Sequence, residues 1–252
     1  MGCMMTEPQI TRINIWSGPR NVSTALMYSF AQRADTRVVD EPLYGHYLRV
    51  SGAPHPGADE VMADMRVDAA QVIDEVILGP CDRPVLMLKQ MAHHLVELDR
   101  SFLAQTVNVL LVRDPRQMLP SLAKNLEAPT LRDTGLALQT ELYDLLHDLG
   151  QEPPILDARE ILLNPRDVLS QLCAQVGIAF DERMLRWQAG PRPEDGIWAK
   201  HWYHAVHQST GFQPYTEKRA PMPTYLQPLL AECLPHYERL AAHVIRAASP
   251  SQ

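Results

Sequence analysis

The stretch from Ile10 to Phe30 constrains the fold more than any other part of the chain. Ile10-Thr11-Arg12-Ile13-Asn14-Ile15-Trp16 alternates apolar and polar residues, Ser17-Gly18-Pro19 breaks the run, and Val22, Leu26, Met27 and Phe30 follow at helical spacing. A strand, a tight turn and a helix in that order form the first half of a βαβ unit, and the alternation continues downstream. Residues 84–89 and 107–112 are short apolar runs without polar alternation, as expected of strands buried on both faces; residues 37–40 and 154–157 read as shorter strands. The expected architecture is α/β, a parallel β-sheet sandwiched by helices.

Helices are expected over residues 61–78, between the strands at 84–89 and 107–112, from Pro115 with Asp114 as cap, over 131–149, and from Asn164-Pro165 to Gly177. Residues 41–57, punctuated by Gly and Pro, read as irregular. From about residue 186 to 228 the chain is rich in Pro, Trp, Tyr and His with little periodicity, which predicts an irregular C-terminal cap packed on the sheet. All 252 residues are read as a single domain, with residues 1–9 as a flexible leader. The opening Met1-Gly2-Cys3 formally matches an acylation signal, taken here as a chance match within that leader.

Composition narrows the function. A formal net charge of −7 gives no global reason to bind nucleic acid, so any anion site has to be local. Cys3, Cys81, Cys173 and Cys233 stand apart with no C-x-x-C pair, which argues against a disulfide framework or a thiolate zinc site and fits a reducing cytoplasm. No run approaches the roughly 18 apolar residues of a membrane span. His201, His204 and His207 are spaced three apart but lack a nearby carboxylate or fourth ligand, so they are read as packing or pocket lining, with no metal expected.

Two local features suggest where an anion would bind. The turn Ser17-Gly18-Pro19-Arg20-Asn21-Val22-Ser23-Thr24 leads from a strand to the positive end of a helix, with Arg20 as cation and the Ser23 and Thr24 hydroxyls where the helix begins. It lacks the full G-x-x-x-x-G-K-[ST] pattern, since Val22 replaces the second Gly and Ser23 the Lys. The run Arg113-Asp114-Pro115-Arg116 follows a buried strand, with Ser121 eight residues beyond Arg113. Guanidinium and hydroxyl can meet one phosphate in the crevice above a parallel sheet.

These residues resemble the sulfotransferases that use 3′-phosphoadenylyl sulfate, members of the P-loop superfamily. Their first loop reads P-[KR]-S-G-[ST]-[ST]; Pro19, Arg20, Ser23 and Thr24 match it, and Asn21 and Val22 depart from it. The family's R-D-P-x-x-x-x-x-S arrangement matches at Arg113 and Ser121, and the resemblance implies that these two hold the donor's 3′-phosphate. Residues 155–165 look like the family's strand followed by E-D-L-x-x-x-P, and Val176-Gly177-Ile178-Ala179-Phe180 completes the segment; Asp157-Ala158 stands where many members place an aromatic against adenine. Gly196-Ile197-Trp198 is similar to a C-terminal Gly-x-Trp segment, and Arg192 stands in for the basic loop nearby.

The resemblance implies a P-loop-type α/β fold and sulfuryl transfer from 3′-phosphoadenylyl sulfate to a hydroxyl or amine of a small-molecule, sugar or lipid acceptor. Such a displacement is dominated by positioning and charge stabilisation, and a sulfuryl group carries less charge than a terminal phosphoryl, so a fixed cation can serve in place of a metal. Arg20 is then expected at the leaving group, with Asn21, Val22, Ser23 and Thr24 around the 5′-phosphate. The acceptor needs a base. The family's K-x-H becomes Lys89-Gln90-Met91, leaving His93 or His94 as neighbours, while Asp40-Glu41-Pro42 resembles the E-P of members whose base is a glutamate; both possibilities stay open. The rival readings are a P-loop kinase using magnesium-ATP, against which the missing loop lysine counts, and a non-catalytic nucleotide-binding scaffold.

Overall fold

Ile13 and Ile15 turn to one face of a sheet and Trp16 to the other, and all three are fully buried, so β1 (Thr11–Ser17) must be covered on both sides. The computed structural model describes residues 10–124, 126–217 and 221–248; the leader at 1–9, with Gly2 and Cys3, lies outside the described residues. Four further strands follow: β2 (Thr36–Asp40), β3 (Val85–Met91), β4 (Val107–Val112) and β5 (Ile155–Asp157). All pair in parallel in the order β2-β3-β1-β4-β5. The strand order reverses direction around β1, and the crevice between β1 and β4 is the switch point where such sheets bind ligands.

On one face α1 (Ser23–Phe30) packs with a later helix over Ile13, Ile15, Val109 and Leu111. On the other face Trp16, Leu86, Leu88 and Leu110 are covered by residues from several elements that include Ile77, Phe102, Leu142 and Leu240. Each face buries large aliphatic side chains, worth about 1.5–3 kcal/mol apiece.

The element reading needs four corrections. Residues 41–57 contain a helix, α2 (Tyr44–Ser51), because Gly45 serves close packing, not a turn: a Cβ there would lie 2.9 Å from the Arg66 carbonyl oxygen. The expected helix at 61–78 is divided. The first piece, α3 (Ala58–Asp64), stops at an extended Met65; Asp68 then caps α4 (Ala69–Val72) by accepting from Gln71 N–H, and a π-helical turn continues to Ile77. Between β3 and β4 there are only 3₁₀ turns, at Ala92–His94 and Ser101–Gln105, where the Asp99 carboxylate accepts the Ser101 N–H. The helix at 131–149 breaks at Gly135 (φ 72°) into α6 (Leu131–Thr134) and α7 (Leu136–Asp148).

The expected α5 (Pro115–Leu122) forms with the Asp114 carboxylate accepting the Arg116 N–H at 2.8 Å. Two helices went unread, α8 (Ala158–Leu163) and, near the C-terminus, α12 (Gln227–Ala241), while α9 (Pro165–Gln175) starts at Asn164 as expected. The cap carries single helical turns α10 (Ala199–Trp202) and α11 (His204–His207) amid irregular chain. No helix among the described residues is long and apolar enough to cross a membrane.

Candidate functional site

A cavity of about 460 Å³ opens at the C-terminal ends of β1 to β4, with the cap as its far wall. Its lining includes the whole turn from Gly18 to Thr24, Glu41 after β2, Lys89 and Met91 in β3, His93 and His94 after it, Arg113 after β4 and Ser121 in α5. One cavity therefore joins residues more than a hundred positions apart, and it has two chemically distinct ends.

The end over β1 and β4 is cationic. Arg20 Nε donates to Ser121 Oγ at 3.1 Å, and an Arg113 guanidinium N–H donates to the Arg20 carbonyl, so the two candidate phosphate-binding segments are already in contact. Burial holds both guanidiniums below their ordinary pKa, and for Arg113 the nearby Arg20 charge adds to the effect. Arginine stays charged in spite of this, and the nearby Asp157 and Asp114 carboxylates partly offset the effect at Arg113. Two adjacent, partly buried cations suit a polyanionic ligand.

One departure from the loop pattern, Asn21, has a local role. Asn21 Oδ1 accepts the Ser23 N–H at 2.9 Å, doing locally what a phosphate oxygen does in a glycine loop, and Asn21 Nδ2 donates to the Leu111 carbonyl at 3.4 Å. Gly18 remains indispensable, since a Cβ there would lie 2.4 Å from the Thr134 carbonyl oxygen. Among the described residues three non-glycines have positive φ, and two of them, Arg20 (56°) and Glu41 (43°), line the cavity. Such left-handed backbone costs on the order of 1–3 kcal/mol and concentrates where function holds it.

The end over β2 and β3 is built on a buried lysine. Lys89 Nζ donates to Asp40 at 2.8 Å, to Tyr203 Oη at 2.7 Å and to the Glu41 carboxylate. Burial pushes the Glu41 carboxyl above the usual carboxylate range, with Lys89 working against the rise and Asp40 adding to it. Burial also opposes the charge on Lys89, but Asp40 and Glu41 outweigh it and hold the ammonium well above its ordinary value. Sequence reasoning named Lys89 only within Lys89-Gln90-Met91 and missed it as a site residue; the structure places it in a strand buried at every position.

His93 and His94 belong to a ring-packed chamber beside this cluster. His94 stacks between Tyr44, at a centroid distance of 5.1 Å, and Tyr47, at 4.7 Å; His93 meets Tyr47 edge-on at 5.0 Å. Burial drives the His93 pKa down to about 3 and that of His94 well below the ordinary value, so both are neutral and poor bases at neutral pH. His94 Nε2 lies 4.0 Å from Glu41 Oε2.

Of the residues expected at the site, only Arg192 is not brought to this cavity. It lies over the Tyr28 ring at 5.1 Å, within a cluster where Asp195 accepts from the Tyr28 hydroxyl. His207 of the histidine series also joins Asp195, at 2.9 Å, and the described residues include no group of three or more His, Cys, Asp or Glu side chains arranged to hold a metal ion.

The family profile described as "Sulfotransferase domain" matches residues 11–244. A curated relative from Arabidopsis thaliana, named branched-chain-amino-acid aminotransferase-like protein 1, is 38% identical over 97% of this chain but over only 44% of its own length, so the chain spans less than half of that relative. Among solved structures, a sulfotransferase from Alicyclobacillus acidocaldarius gives a TM-score of 0.53, with 94% of this chain and 97% of that one covered at 14% identity. The sulfotransferase domain of the Synechococcus PCC 7002 olefin synthase gives 0.50, with 90% and 96% covered at 17% identity. At these identities the likeness is one of fold.

Proposed function

We propose that this chain, which belongs to the sulfotransferase domain family, transfers a sulfuryl group from 3′-phosphoadenylyl sulfate to the hydroxyl or amine of an acceptor that is a small molecule, a sugar or a lipid. The observation that carries this reading is the convergence on one cavity of the Arg20 and Arg113 guanidiniums at one end and a buried carboxylate of raised pKa at the other. Bound there, the donor would supply an activated sulfuryl group and leave as adenosine 3′,5′-bisphosphate.

In this reading Arg113 and Ser121 hold the 3′-phosphate, and Ser23 and Thr24 hold the 5′-phosphate at the start of α1. Arg20, whose Nε donates to Ser121, stabilises charge that develops on the leaving side, an effect strengthened by partial burial. Leu162 and Phe212 give the cavity apolar flanks for the adenine. Glu41 is the base of choice over His93 and His94. Its raised pKa brings the carboxylate nearer the working pH, whereas the two imidazoles have lost basicity. The rings of Tyr44, Tyr47 and Trp198 then form the wall along which an acceptor approaches Glu41.

Calorimetric titration of the full chain with adenosine 3′,5′-bisphosphate, and separately with magnesium-ATP, tests the donor class. Binding of the bisphosphate at least about tenfold tighter than magnesium-ATP, a difference of about 1.4 kcal/mol, is expected. Preference for magnesium-ATP would replace the reading with a kinase, and folded protein that binds neither would make the chain a non-catalytic scaffold.

A further inference from the structure

The base end of the cavity is tied to the cap through one carboxylate. Asp40 closes β2 directly opposite Lys89 in the parallel register. Besides Lys89 it accepts the Tyr203 hydroxyl at 2.7 Å and the Gly196 N–H at 3.2 Å, both from the cap. Tyr203 sits between α10 and α11; its oxygen also accepts from Trp198 Nε1 at 3.3 Å and from Lys89. Tyr203, Asp40, Lys89 and Glu41 are buried, Glu41 the least completely, so the hydrogen bonds in the group compete chiefly with one another.

An ammonium has three protons, and here they go to Asp40, Glu41 and Tyr203. Asp40 and Glu41 thus compete for one cation. The Tyr203 proton satisfies part of Asp40 and weakens its demand on Lys89. We propose that Tyr203 is a positioning residue for Glu41: by donating to Asp40 it sets how Lys89 is shared between the two carboxylates, so that the seating of the cap governs the charge state of the carboxylate in the cavity. The label of base for Glu41 rests on the functional reading above; the sharing of Lys89 does not.

The groups facing Glu41 are few. Lys89 and Asp40 are the charged ones; His94 at 4.0 Å and Tyr44 are both neutral, burial having lowered the first pKa and raised the second. Removing the Tyr203 hydroxyl takes a donor from Asp40 and an acceptor from Lys89; Asp40, the register partner of Lys89 and the carboxylate that has lost a donor, then draws the ammonium toward itself, so Glu41 loses stabilisation of its charge. Removing the Asp40 charge does the reverse, leaving a neutral Lys89–Glu41 pair.

The test is carboxyl ¹³C NMR on the full chain labelled at glutamate, with the Glu41 resonance assigned by its loss in Glu41→Gln. Tyr203→Phe is expected to move the Glu41 midpoint to higher pH by about one unit, and Asp40→Asn to move it down by a similar amount. Midpoints that stay within a few tenths of wild type, or that move in the same direction in both variants, overturn the proposal. If Tyr203→Phe fails to fold, 3-fluorotyrosine placed at position 203, a near-isosteric side chain that donates more strongly to Asp40 and accepts less well from Lys89, decides: a lower Glu41 midpoint supports and an unmoved or higher one overturns. Parallel titration with adenosine 3′,5′-bisphosphate separates the two claims. Loss of that binding in wild type counts against the sulfotransferase reading, whereas only the Glu41 midpoint judges the role of Tyr203.

Discussion

Glu41 combines a left-handed backbone, a buried carboxylate and a lysine partner, and each of these follows from its place one residue past β2. Asp40 must face Lys89 across the strand pair, so the chain has to turn sharply for Glu41 to face it as well. The base assignment has a direct kinetic consequence. Because the folded environment raises the Glu41 pKa and the base acts when deprotonated, activity should rise with pH through a midpoint above the usual glutamate range. Once an acceptor is in hand, the pH profile of kcat/KM should show this acid limb. Glu41→Gln should lower kcat by about 10²–10⁴-fold while leaving bisphosphate affinity within about threefold. Turnover at the wild-type rate, or an acid limb that survives the substitution, would remove Glu41 from the chemistry. At this scale the residues that line the guanidinium end of the cavity were legible in the sequence, because guanidiniums and hydroxyls at strand ends stand out. Lys89 was not, since its importance depends on register with Asp40, and a single chain of letters carries no register. Nor did the spacing of His93 and His94 reveal that burial strips their basicity.

Among the elements, the first βα turn and the α6–α7 elbow are locked together. Gly18 and Gly135 meet there, and an added Cβ at Gly18 would sit 2.4 Å from the Thr134 carbonyl. Since that atom is backbone, the contact cannot be relieved by a rotamer change. Gly18→Ala is therefore expected to cost about 1–3 kcal/mol in urea unfolding and to weaken bisphosphate binding by displacing the turn. Unchanged stability would show that the elbow does not brace the turn. The same junction explains why a helix at 131–149 was only half right: the apolar spacing continues across Gly135, but the close approach of Gly18 demands a left-handed residue at that point. The strands β3 and β4 were readable from their short apolar runs, and β1 from its alternation ahead of the Ser17-Gly18-Pro19 break. The misread helices at 41–57 and 61–78 turn on tertiary contacts, a glycine used for packing and an extended Met65, which local pattern does not encode.

For the molecule as a whole, the strand order places two kinds of chemistry on either side of β1. Residues following β1 and β4 assemble the guanidinium end, and those of β2 and β3 the carboxylate end, with the cap closing both into one cavity. The α/β class followed from the alternation of elements. The joining of Arg20 with Arg113, and of Glu41 and Tyr203 through Lys89, came only with the folded topology. The central claim is that Arg113, with Ser121, reads a 3′-phosphate. Its most direct measurement is the calorimetric affinity ratio of adenosine 3′,5′-bisphosphate to 5′-AMP, in wild type and in Arg113→Ala. A charged hydrogen bond of about 1.5–3 kcal/mol predicts that the wild type prefers the bisphosphate by at least about tenfold and that Arg113→Ala removes most of this preference while 5′-AMP binds as before. Equal affinities in the wild type, or a substitution that weakens both nucleotides alike, would contradict the account.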